Sequence, residues 1–176
     1  GGQVSAGGSG TVTVQGTGGA HANLSAAAAV INNGTIKLES LSNQSNLTVG
    51  GAGLTNNGTF QVNVGGGVGD NRRFYTGALT NSVSGTLDVN HNLFITGSST
   101  LTNNSTFDIA AGQTVTAQNS TQVIQAAGSI TGGGSLVVEG VGTGLQFTGG
   151  SVTVASAVLD ASNLTLSNAG GTAGFT

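Results

Sequence analysis

Apolar and polar residues alternate along this chain in short runs, and the runs recur. Thr11-Val12-Thr13-Val14 is followed by Thr35-Ile36-Lys37-Leu38, Thr59-Phe60-Gln61-Val62, Thr86-Leu87-Asp88-Val89 and Thr106-Phe107-Asp108-Ile109. Ser135-Leu136-Val137-Val138 and Ser151-Val152-Thr153-Val154 extend the series. A Gly or Ser stands ahead of each: Gly10, Gly34, Gly58, Gly85, Ser105, Gly134 and Gly150. Successive starts lie 24, 24, 27, 20, 29 and 16 residues apart, about 23 on average, which is a solenoid period. A period of two within each run puts its apolar residues on one face of a strand.

Each unit holds more than this one strand. An apolar residue recurs five positions upstream (Val30, Leu54, Leu101, Ile130), and Leu47-Thr48-Val49, Leu93-Phe94-Ile95 and Leu164-Thr165-Leu166 supply further alternating pieces. Two or three short strands per repeat with Gly/Asn turns describe an all-β, parallel β-helix of about seven coils, roughly 23 residues each. Antiparallel hairpins in a sandwich would also alternate, but sandwich strands do not usually repeat one another. In a β-helix, equivalent residues stack about 4.8 Å apart. Phe60, Leu87 and Phe107 then share an interior column, and the paired Asn56-Asn57 and Asn103-Asn104 share a corner. Asn suits a corner because it tolerates left-handed backbone and its amides can ladder along a stack.

Composition fits this reading. Among 176 residues there are 33 Gly, 5% charged residues and no Pro, Cys, Met or Trp. Without Pro nothing interrupts the β-ladders, and without Cys there is neither a disulfide nor a thiolate metal site. A net charge of −3 argues against nucleic acid as a partner. No apolar run approaches the roughly 20 residues of a membrane span. The whole of 1–176 reads as one solenoid domain, and its start at Gly1 rather than Met suggests a processed piece of a longer product.

The coils written "INNGTIKL", "LTNNGTFQV", "SGTLDV" and "LTNNSTFDI" resemble those of filamentous haemagglutinin-type exoproteins and autotransporter passengers. That resemblance, over residues 8–166, implies a right-handed β-helix that is secreted or on the cell surface, serving as an adhesin stalk, fibre or biofilm-matrix segment.

Candidate chemistry is sparse. Asp88 and Asp108 fall at equivalent repeat positions, in an outward column with Thr13, Lys37, Gln61, Val137 and Thr153. Paired carboxylates can cut polysaccharides or weakly hold a divalent ion, but Ca²⁺ usually needs six or more oxygens. Six acidic and three basic residues leave little material for a charged cleft. The chain therefore reads as non-catalytic, without cofactor or metal. His21 and His91 lack metal-ligand spacing, and the Gly runs lack the Lys-Ser/Thr of a phosphate loop.

"GDNRRFYTG", residues 69–77, breaks the pattern and reads as a loop insertion, which in solenoids often lies on the binding face. Arg72, Arg73, Phe74 and Tyr75 could grip a carboxylate, a sugar ring or a second copy. The expected partner is the chain itself, by end-to-end stacking or strand addition through Gln3-Val4 or Phe175, with surface glycans or a receptor as the alternative. Asn33, Asn46, Asn57, Asn104 and Asn163 lie in N-x-Ser/Thr sequons and are candidate glycosylation sites if they point outward.

Overall fold

A computed structural model describes residues 5–6, 8, 10–66, 72–160 and 163–167. Every regular element among them is a strand, and every pairing between named strands is parallel. The chain winds through three ladders per coil and returns in register about seven times.

The first ladder has eight strands: Ser5–Ala6, Val30–Asn32, Leu54–Asn56, Leu79–Asn81, Thr100–Asn103, Gln122–Gln125, Gly144–Phe147 and Asn163–Leu166. The second stacks Thr11–Gly16, Thr35–Ser40, Thr59–Val62, Thr86–Val89 and Thr106–Ile109. The third stacks Ala22–Ala26, Ser45–Val49, Arg73–Thr76, Leu93–Thr96 and Thr114–Ala117. Two long strands, Ser129–Glu139 and Ser151–Asp160, each run through both the second and third ladders, with a register shift between Gly132 and Ser135.

Those long strands correct one alignment made on sequence. Thr106 pairs with Ser129, and Ser129 with Ser151, so the last two intervals are 23 and 22 residues. Ser135–Val138 belongs to the third ladder, opposite Thr114–Ala117. The stretch from Gly132 to Gly134 stays in the strand and hides the boundary that a turn would have marked. Ile130 accordingly joins the Phe107 column, not the one containing Leu101, and Thr131 rather than Val137 follows Asp108.

Alternation decides what is inside. Phe60, Leu87 and Phe107 stack in register, and each is 2% exposed or less. Val30, Leu54, Leu79, Leu101, Val123 and Leu145 form a second column from the first ladder. Each such side chain contributes about 1.5–3 kcal/mol of burial.

The Asn pairs split between inside and outside. Asn56 and Asn103 are fully buried, whereas Asn57 and Asn104 face outward and are half-buried. Asn32, Asn56, Asn81, Asn103 and Gln125 form one internal amide ladder. Each Nδ2 donates to the next side-chain carbonyl at 2.7, 2.9, 2.8 and 2.9 Å. The same nitrogens donate to the main-chain oxygens of Thr59, Thr86, Thr106 and Ser129. Left-handed backbone has no part in this, because the non-glycine residues with positive φ are Ser98, Asn119 and Ser120. Laddering, not turn geometry, explains the repeated Asn.

Candidate functional site

The first coils enclose a small apolar space among the described residues. This cavity, lined by Val12, Leu24, Ala26, Val30, Ile36, Leu47 and Val49, measures about 20 Å³, far below the roughly 300–1,000 Å³ of ligand pockets.

On the second ladder, Thr13, Lys37, Gln61, Asp88, Asp108 and Thr131 stand in one outward column. Asp88 and Asp108 are adjacent, as expected, but Asp88 is already engaged. Its Oδ2 accepts from Gln61 Nε2 at 3.1 Å and its Oδ1 from Asn90 Nδ2 at 2.8 Å. Asp108 Oδ1 accepts from the Thr131 hydroxyl at 3.2 Å. The network continues through Asn63, which accepts from Asn90 and donates to Glu39, and Gln15 also donates to Glu39. Asp88 and Glu39 act as acceptors in a surface amide lattice, and Asp108 accepts from a hydroxyl beside it. No group of three or more His, Cys, Asp or Glu able to hold a metal occurs among the described residues.

The 69–77 segment divides. Residues 69–71 lie outside those described, and Arg73–Thr76 is a regular strand of the third ladder, not a loop. The extra length sits just upstream: ten residues, 63–72, join Val62 to Arg73, against three between Val89 and Leu93. Strand alternation sends Arg73 and Tyr75 into the core, each 0% exposed. They are not available as surface contacts. Arg73 donates through Nε to the Asn63 carbonyl (3.0 Å) and through its guanidinium to that of Val64 (2.8 Å), tying down the start of the long connection. It fits because Ser45 precedes it in the same column.

Tyr75 packs edge-on against Phe60, with centroids 6.0 Å apart, and donates its hydroxyl to the Ala78 carbonyl at 2.6 Å. Burial pushes the phenol well above its usual value near 10. Because the unfolded chain loses this proton first, the contribution of Tyr75 to stability should be constant below about pH 10. It should then fall by about 1.4 kcal/mol per pH unit as the unfolded phenol ionises. Denaturant titrations across that range should show the slope in the parent and lose it in Tyr75→Phe.

Arg72 and Phe74 remain outside. Phe74 pairs in register with Phe94 of the next coil, ring centroids 5.3 Å apart, and the Arg72 guanidinium lies 5.4 Å from the Phe94 centroid. Thr116, Val137 and Val158 continue the same outward column. Two residues further along their strands, Glu139 and Asp160 stack in register. They help line a cleft of about 660 Å³ with Ser98, Gln118, Asn119, Ser120, Gly140 and Val141. Sequence reasoning missed Phe94, Glu139 and Asp160. The signal for Phe94 was present, since Leu93 and Ile95 pointing inward forces it out.

The sequon residues also differ from one another. Asn33 and Asn163 are exposed; Asn46, Asn57 and Asn104 are half-buried. The side-chain nitrogens of the last three, where a glycan would attach, donate to Asn23 Oδ1, Asn33 Oδ1 and the Asn81 carbonyl. Asn103, also in a sequon, is buried in the ladder. His21 accepts from the Gln44 amide.

No family model, curated protein or solved structure matches the chain.

Proposed function

We propose that this chain is a non-catalytic structural or adhesive segment of an extracellular, cell-surface fibre, built by end-to-end stacking of β-helical coils. The observation that carries this reading is the state of the last described strand. Leu164 and Leu166 continue the inward columns of Leu145 and Phe147, yet they are 47% and 58% exposed, whereas the residues below them are 1% exposed. Core positions emerging at a coil edge invite another coil, because strand edges and apolar columns both gain by continuation. Both carboxylates are engaged, Asp88 by the Gln61 and Asn90 amides and Asp108 by the Thr131 hydroxyl, which favours a scaffold over a polysaccharide-cutting site. A host receptor or surface glycan remains the alternative partner, and Arg72 and Phe74 are the residues of the original segment accessible to it.

Leu166→Asp places a charge where the next coil would dock. Filaments or elongated oligomers should be visible for the parent in negative-stain images at rising concentration. The variant should form no filaments or end-to-end chains, with unchanged circular dichroism. Parent particles that stay single at every concentration would sink the fibre reading.

A further inference from the structure

The outer surface of the third ladder carries features that no core or turn requirement explains. Its outward column begins with Asn23 and Asn46 and then turns apolar at Phe74, Phe94, Val137 and Val158. Thr116, in the middle, is only 7% exposed despite facing out, so the column forms a closed ridge about four strand spacings long, or about 19 Å. Such an apolar run on an outer face, interrupted only by the buried Thr116, is a candidate contact surface. At one end Arg72 lies over Phe94, and at the other Glu139 and Asp160 line the cleft. The chain has three basic residues, Lys37, Arg72 and Arg73. Arg73 is buried and Lys37 belongs to the second ladder, which leaves Arg72 as the cation of this face.

We propose that this face pairs with the same face of a second copy about a two-fold axis, the Arg72/Phe94 knob of each copy entering the Glu139/Asp160 cleft of the other. A two-fold contact must be self-complementary. This face meets that condition, with one cation on an aromatic seat, two stacked carboxylates beside a cleft, and an apolar ridge between them. An area of about four strand spacings by four residues per copy falls below the roughly 800 Å² per partner of a standard stable interface. The pairing is therefore weak for isolated chains and gains strength where many coils are joined, through multivalency. It rests on the fibre reading and adds lateral bundling to end-to-end growth.

The test uses sedimentation equilibrium on the Leu166→Asp chain, which removes end-to-end contacts and leaves this face intact. A concentration-dependent monomer–dimer equilibrium is expected, weakening with added salt because the charge pairs are screened. Arg72→Glu should weaken dimerisation about tenfold or more, as should Glu139→Arg. The double variant Arg72→Glu/Glu139→Arg should recover most of the loss, which general misfolding could not produce. A Leu166→Asp chain that is monomeric throughout, or a double variant no better than either single one, overturns the lateral contact. The fibre reading would stand or fall separately on the images of the parent.

Discussion

Asn81→Ala is expected to lower the unfolding free energy by about 3–5 kcal/mol, among the largest effects of any single truncation here. Asn81 is the middle rung of the internal ladder. Its removal leaves the Asn56 amide without the acceptor it reaches at 2.9 Å, and the Asn103 carbonyl without its donor at 2.8 Å. The Thr106 main-chain oxygen loses its side-chain partner as well. These side chains are fully buried, where an unsatisfied polar group costs about 1–3 kcal/mol. The sum is not additive, because the neighbouring amides polarise one another and can relax together. Asn57→Ala provides the comparison: its outward amide bonds only Asn33 at the surface, and the change should stay within about 0.5 kcal/mol. Denaturant midpoints for the two variants would decide. Equal losses would mean that the ladder merely fills space.

The second large effect is expected at Gly58. A Cβ built there would collide with the carbonyl oxygen of Gly34 in the coil below, and its next contacts, Asn33 C and Gly34 C, are also backbone. Rigid main chain cannot step aside as a flexible side chain would. Gly58→Ala should therefore cost about 2–4 kcal/mol through forced separation of adjacent coils. Gly8→Ala, where a Cβ meets nothing within 4 Å, should be close to neutral. Thermal unfolding of both variants provides the check, and a Gly58→Ala protein as stable as Gly8→Ala would show that the coils are not this tightly apposed. Left-handed backbone is not the issue, since Gly58 is not among the glycines of positive φ.

These two positions explain the phrase "NNGT" residue by residue. The first Asn is a ladder rung, the second an outward residue, and the Gly the point where successive coils touch. The Thr begins the second ladder, its amide bonded to the corner carbonyl one coil back, as Thr59 is to Gly34 and Thr86 to Gly58. Each job is set by the same close stacking, so the four residues recur together.

The sequence by itself determined the stacking. A period of two within runs and a near-constant spacing between them allow few arrangements other than parallel coils, and placed Phe60, Leu87 and Phe107 in one buried column. It also placed Asp88 beside Asp108. Local pattern could not decide where unmarked strands begin. The aligned start at Ser135 proved to lie within one strand running from Ser129 to Glu139, in the third ladder and not the second. Nor could it decide the side on which charged and aromatic residues emerge. Arg73 and Tyr75 looked like a surface grip because charge and hydroxyl usually seek water. Only the three-dimensional register, set by Ser45 beneath and Leu93 above, turned them inward and turned Phe74 and Phe94 out. Facing depends on parity within the strand, and parity is fixed by hydrogen bonds to neighbouring coils some twenty residues away.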